Sequence, residues 1–184
     1  MKQNRDKILQ QLKGKKAGVF VDDSNLYHSY KKYGWHIDFK KLKNLLERYC
    51  EVRLFNYYVA IPDKSDADYT NVQRFLTYLK PTATIKTKPL KYIQVAGAVV
   101  RKGDVDVEVV LDVVRNIETL DAVIILSGDS DFLELKNYTA KEKKKNIIFW
   151  AYEKNMAWEL KYCWHLYLDD FREEIELIKH NPRV

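Results

Sequence analysis

Two carboxylates one residue apart, Asp129 and Asp131, follow the apolar run Ala122-Val123-Ile124-Ile125-Leu126. That run has the length and composition of a buried strand, and Phe132-Leu133-Glu134-Leu135-Lys136 carries a helical pattern. The acids therefore fall on a tight strand-to-helix turn, at the edge where open parallel sheets bind ligands. An ordinary turn capped by Ser130 or Asp129 fits the same residues. Two more acids occupy comparable places. Asp22 ends Ala17-Gly18-Val19-Phe20-Val21, the predicted first and central strand, with Asn25 three residues on. A plain helix cap at Asp23 or Ser24, with Asp22 incidental, is the competing account. Asp106 opens a stretch through residue 116 that no turn residue interrupts. Its valines favour a strand. Yet Val107, Val110, Leu111 and Val114 sit at helical spacing, so a helix is predicted with Asp106 in its first turn, where the dipole favours a carboxylate.

Carboxylates gathered at one edge oppose each other's ionisation unless a cation relieves them. Asp22, Asp106, Asp129 and Asp131 would suit one or two hard, oxygen-liganded ions, Mg²⁺ or Mn²⁺. Such ions orient a water, lower its pKa and stabilise the leaving oxygen of a phosphodiester. Asn25 is expected to hold a water or a phosphate oxygen. Lys102, with Ser127, is expected on the substrate; a solvated loop lysine is the plainer reading of Lys102. Tyr27 and Lys31 belong to a predicted helix of interleaved tyrosines and lysines, a combination that offers single-stranded nucleic acid stacking faces and phosphate partners. Tyrosines at that spacing also pack against sheets.

The totals narrow the class. A chain of 184 residues is long enough to bury one core, and 46% hydrophobic with 32% charged residues argues against disorder. The net charge of +6 favours a polyanionic partner. No apolar run reaches membrane-spanning length, and the charged first residues lead into no signal-peptide core. Cys50 and Cys163 lack metal spacing and are expected as reduced thiols in a cytoplasmic protein. His28, His36, His165 and His180 form no pair with zinc spacing. A Ser-His-Asp pattern and a phosphate-cradling glycine loop are both missing.

The elements needed to position the acids follow in order. Residues 1–14 predict a short amphipathic helix stopped at Gly14. Asp38 caps a helix burying Phe39, Leu42, Leu45 and Leu46. A strand covers 51–61, and a helix with Val72, Phe75, Leu76 and Leu79 inward ends at Pro81. Residues 84–90 predict a third strand, with a hairpin or extended loop around Gly97. A fifth strand spans 146–151, a helical segment 155–163, and a short edge strand 165–168. Asp169 is expected to cap a last acidic helix, a packing element or a contact in a homodimer. Alternating strands and helices imply a mostly parallel sheet with right-handed crossovers.

Val19-Phe20-Val21-Asp22-Asp23-Ser24-Asn25-Leu26, then Lys102-Gly103-Asp104-Val105-Asp106-Val107-Glu108 with Asp112, then Leu126-Ser127-Gly128-Asp129-Ser130-Asp131-Phe132, resemble the three motifs of NYN domains, the LabA-like branch of the PIN-like nuclease superfamily. The similarity covers roughly residues 15–168, within one domain of 1–184, and the three motifs keep the family's order. It implies an α/β, Rossmann-like three-layer sandwich with a mostly parallel central sheet, and a metal-dependent ribonuclease acting on RNA. By position, Asp22, Asp106, Asp129 and Asp131 match the family's acidic pocket, and Asn25 its asparagine. Asp112 matches a recurrent acid that would be structural. Asp23 stands where many members have glycine and adds an acid beside the pocket. A dehalogenase-type phosphatase would need Asp at position 24, which is Ser24, and a Toprim-type nuclease would need Glu where Asp22 stands. A catalytically silent RNA-binding module on the same fold is the alternative from another class.

Overall fold

The computed structural model describes residues 2–178 except residue 96, with side chains from residue 5 onward. Its main sheet has the order β3-β2-β1-β6-β7-β8. The strands are β1 (Lys16–Asp22), β2 (Glu51–Ile61), β3 (Thr84–Pro89), β6 (Ala122–Leu126), β7 (Asn146–Ala151) and β8 (His165–Tyr167), and every pairing among them is parallel. The chain runs outward from β1 through β2 to β3, then returns to the other side of β1 as β6. The order therefore reverses between β1 and β6, so their carboxyl ends, carrying Asp22 and the Gly128 turn, adjoin at the switch point where α/β sheets bind ligands.

Alternation along the central strands fills both faces. Val19, Val21 and Tyr57 face one layer with α1 (Lys2–Gln10), α2 (Asp23–Tyr33), α3 (Phe39–Glu47), α4 (Tyr69–Leu79) and the short α7 (Arg172–Ile175). Phe20, Tyr58, Val123 and Ile125 face the other, with α5 (Asp106–Asn116) and α6 (Leu133–Asn137). Each fully buried Val, Leu or Phe there contributes about 1.5–3 kcal/mol. Asp38 caps α3, accepting from the Lys40 and Lys41 N–H groups, as its position predicts. Gly34 closes α2 in the left-handed conformation, φ 76°. Between β3 and α5 a separate antiparallel hairpin, β4 (Lys91–Val95) with β5 (Ala98–Lys102), is exposed along both strands. Its base is tied down by Arg101 to Asp66 and Asp68, and by the Tyr92 hydroxyl to Asp66.

Three expectations need correction. Residues 106–116 are a helix, but its buried face is Val109 and Val113; Val107, Leu111 and Val114 point outward. The segment 155–163 is not one helix. It forms two 3-10 turns, Glu153–Asn155 and Trp158–Tyr162, because the chain must fold back along β7 before β8. The last helix stops at Ile175, since Glu176 pairs as a β-bridge with Ile37 and the Leu177 N–H bonds the His36 carbonyl. Asp169 does not cap it but accepts from the Glu153 N–H at 2.7 Å. The rest of that expected helix, from residue 179, lies outside the described residues.

Candidate active site at the carboxyl edge of the sheet

Asp22 is the pivot. It closes β1, caps α2, and is 1% exposed. Its Oδ1 accepts from the Ser24 hydroxyl at 2.7 Å and the Asn25 N–H at 3.3 Å, and its Oδ2 accepts from the Ser127 hydroxyl at 3.0 Å. The cap is therefore Asp22 itself and not Asp23 or Ser24. Burial pushes its pKa up, against the pull of these donors. Ser127 is fully buried, and its oxygen also accepts the Asp129 N–H at 3.2 Å. It joins the two acidic turns, with its hydroxyl directed inward onto Asp22.

Asp106 enters from the first turn of α5, and its neighbours are carboxylates. Burial, then Asp22, Asp129, Asp104 and Asp131, hold its pKa up at about 6 against 3.8. Asp106 thus lies within electrostatic range of Asp22, Asp129 and Asp131, and also of Asp104, which its place in the sequence does not announce. Asp129 caps the 3-10 turn Ser130–Phe132 by accepting the Asp131 N–H, which leaves its second oxygen without a hydrogen bond among the described residues. Asp131 is exposed at the rim. Lys102 lies at the same rim, 61% exposed and 3.5 Å from Asp104.

Asn25 sits at the switch point, but its side chain is occupied. Its Oδ1 accepts the Gly128 N–H at 2.9 Å and the Asn155 amide at 3.1 Å. Ala157 in turn donates its N–H to the Gly128 carbonyl at 2.9 Å. Asn25 thus orders the backbone that presents Asp129, rather than meeting a water or phosphate with this oxygen. Gly128 is required there, since a Cβ would stand 2.3 Å from the Asn155 carbonyl oxygen. Asn155 was not predicted; it lies 130 residues from its partner and belongs to no motif.

The two acids expected to support the site do so differently. Asp23 accepts a very short hydrogen bond from the buried Tyr57 hydroxyl, and burial still lifts its pKa to about 6, with Asp22 adding to the rise. Asp112 anchors α5 to the sheet: its Oδ2 accepts from the Tyr58 hydroxyl at 2.6 Å and the Asn56 amide at 3.3 Å, with Lys86 3.7 Å away. Tyr27 and Lys31 lie together on α2, the ammonium 4.1 Å from the ring centroid.

The donor set was tested against a divalent ion. All the gathered donors are hard carboxylate oxygens, and their mutual repulsion is what a cation would relieve. Among the described residues, however, no three His, Cys, Asp or Glu side chains lie close enough to hold one ion together. The arrangement would offer an ion at most one or two carboxylates, with water completing its shell. It does not fit an all-protein cage.

The comparisons with known proteins agree with this architecture. The NYN domain model matches residues 16–169. Low amplitude and bright protein LabA of Synechococcus elongatus is 26% identical over 166 residues, covering 88% of each chain. A Vibrio parahaemolyticus protein of unknown function has a crystal structure that superposes with a TM-score of 0.73 at 24% identity, covering 89% of this chain and 97% of that one.

Proposed function

This chain belongs to the NYN domain family, within the PIN-like nuclease superfamily, and from that premise we propose that it is a metal-dependent ribonuclease. One observation carries the proposal: acids from three separate motifs meet at the switch point of the sheet, with Asp22 tied through Ser127 to the Asp129 turn, and Asp106 close enough to Asp22, Asp129 and Asp131 for their charges to oppose its ionisation. Mutual repulsion of this kind lowers stability, and it is retained where a cation and a reaction need it.

Asp106 and Asp22 hold the ion, which when bound supplies a water of lowered pKa and neutralises charge on a phosphoryl oxygen. Asp129 and Asp131, on the facing turn, would add negative charge toward a bound ion, directly or through water. Lys102 at the rim meets a backbone phosphate, and Tyr27 with Lys31 extends the strand's path over α2. Asn25 and Ser127 act through the backbone, keeping the acidic turns in register. The net charge of +6 suits a polyanionic partner such as RNA. No helix among the described residues is long and apolar enough to cross a membrane. Free thiols at Cys50 and Cys163 suit a reducing cytoplasm.

The test is cleavage of labelled single-stranded RNA in Mn²⁺, Mg²⁺ or EDTA, with Asp106→Asn and Asp129→Asn beside the wild type. Cleavage that needs metal and is lost in both folded variants supports the nuclease. RNA binding without cleavage across metals and substrates, unchanged by either substitution, would leave a binding module on the same fold.

A further inference from the structure

We infer that Trp158 and Tyr162 form a stacking platform for unpaired bases of an RNA strand leaving the acidic turn. The inference rests on RNA being the substrate and deepens that reading by naming its class, single-stranded with accessible base faces. Large aromatic side chains are normally buried for most of their surface. Here Trp158 is 66% and Tyr162 83% exposed, side by side, with ring centroids 5.7 Å apart and planes at 89°. They are not on a loose loop. Leu160, between them, is fully buried in the core. Ala157, next to Trp158, is bonded to the Gly128 carbonyl, and Asn155 to Asn25. The same backbone that orders the Gly128–Asp129 turn thus carries the two rings, in the turn Trp158–Tyr162 that leads on to β8.

Charge supports a base-stacking role over a purely electrostatic one. Residues 153–162 carry exposed Lys154 and Lys161 but also Glu153 and Glu159, so the segment has no net charge. The lysines can meet individual phosphates; the rings must supply the rest. Base–aromatic stacking contributes about 1–3 kcal/mol per base, which is roughly 5- to 150-fold in affinity. A duplex hides the base faces and should gain nothing from these rings.

The test uses the full chain in EDTA, so that nothing is cut, with three probes of about ten nucleotides: oligouridylate, a sugar-phosphate strand of equal length without bases, and a duplex. Oligouridylate should quench tryptophan emission in the wild type and much less in Trp158→Phe, since Trp35 and Trp150 are buried and the half-exposed Trp164 is the same in both. Trp158→Ala and Tyr162→Ala should each weaken oligouridylate about 5-fold or more, and Trp158→Phe should restore much of the loss. Binding of the baseless strand and the duplex should not change. The slope of affinity against salt should also stay constant, because no phosphate contact is removed. Equal binding of oligouridylate by wild type and both alanine variants overturns the inference, as does a wild type that binds no RNA; the first result would assign the rings to a protein partner. Ring-dependent binding without cleavage in Mn²⁺ would support the platform while overturning the nuclease. Metal-dependent cleavage with KM unmoved by Trp158→Ala would do the reverse.

Discussion

Asp106→Asn should stabilise the metal-free protein and remove its response to metal. Burial and four carboxylates hold the Asp106 pKa at about 6 instead of 3.8, so at pH 7 its ionised form is kept against resistance. A difference of about two pH units corresponds, at 1.36 kcal/mol each, to about 3 kcal/mol at full strength. The carboxyl is only half-buried, and water and salt screen its neighbours, so about 1 kcal/mol is the expected gain from the neutral isostere. In a domain of this size that raises Tm by about 2–4 °C. The sign follows from proton linkage. Between pH 4 and 6 the folded state binds more protons than the unfolded, so wild-type stability falls as pH rises through that window. The advantage of asparagine should be absent near pH 3.5 and complete above pH 6.5. A bound divalent ion reverses the order, since at a hundredfold excess over Kd it adds about 2.7 kcal/mol to whichever protein binds it. Thermal melts of both proteins in EDTA and in Mn²⁺, at both pH values, read all of this. A variant less stable than wild type in EDTA at pH 7 would refute the electrostatic account. A wild type with one Tm in both EDTA and Mn²⁺ would refute the metal.

Three further outcomes follow from the same geometry. Because Asp22, Asp23 and Asp106 all have raised pKa values, two of them near 6, Mn²⁺ must displace protons; its affinity should climb from pH 5 to about 6.5 and then level, and calorimetry showing a flat profile would contradict this. Gly128→Ala places a Cβ against the Asn155 backbone and should cost about 1–3 kcal/mol and most of the cleavage, whereas Gly34→Ala, strained by its left-handed backbone but far from the acids in the chain, should cost about 1 kcal/mol in urea melts and leave cleavage intact. Asn25→Ala and Asn155→Ala act on one network, so in a double-mutant cycle the pair should lose hardly more activity than Asn25→Ala alone; additive losses would mean that Asn25 has a separate task.

What could be read from the sequence was whatever depends on neighbours in the chain. Runs such as Ala17–Val21 and Val123–Leu126 are apolar throughout because both faces of their strands are covered, and that marks a parallel sheet without any tertiary information. The position of an acid at the end of such a run then fixes it at the sheet's edge. What could not be read was the partner of each side chain. Ser127 looked like a substrate contact because it stands in the motif, yet the strand's last pleat turns it inward onto Asp22. Asn155 and Tyr57 are recruited from β7's loop and from β2, and no local spacing announces either. Asp104 was in view but two residues before the helix, where only the packed edge shows that its charge reaches Asp106.

Helix α5 shows how polar placement settles what apolar counting leaves open. Two stripes run along it, Val107, Leu111 and Val114 on one side, Val109 and Val113 on the other, and both are valine-rich. Counting by period chooses the first together with Val110, and the structure buries the second, with Val110 half-buried against the same core. At about 100° per residue, Asp106, Val109, Asp112 and Val113 fall within an arc of about 120°, while Val107, Leu111 and Val114 lie opposite. Asp106 must reach the acids of β1 and β6, and Asp112 must reach the Tyr58 hydroxyl and the Asn56 amide. Only one rotation of the helix satisfies both, and it carries Val109 and Val113 into the core. A buried Asp112 without its donors would cost more than the exchange of one valine stripe for another, so this carboxylate orients the helix, the valines follow, and Asp106 is carried to the other acids against their repulsion. The site is thus part of what specifies the packing of this layer, and α5 keeps an exposed apolar stripe as the consequence.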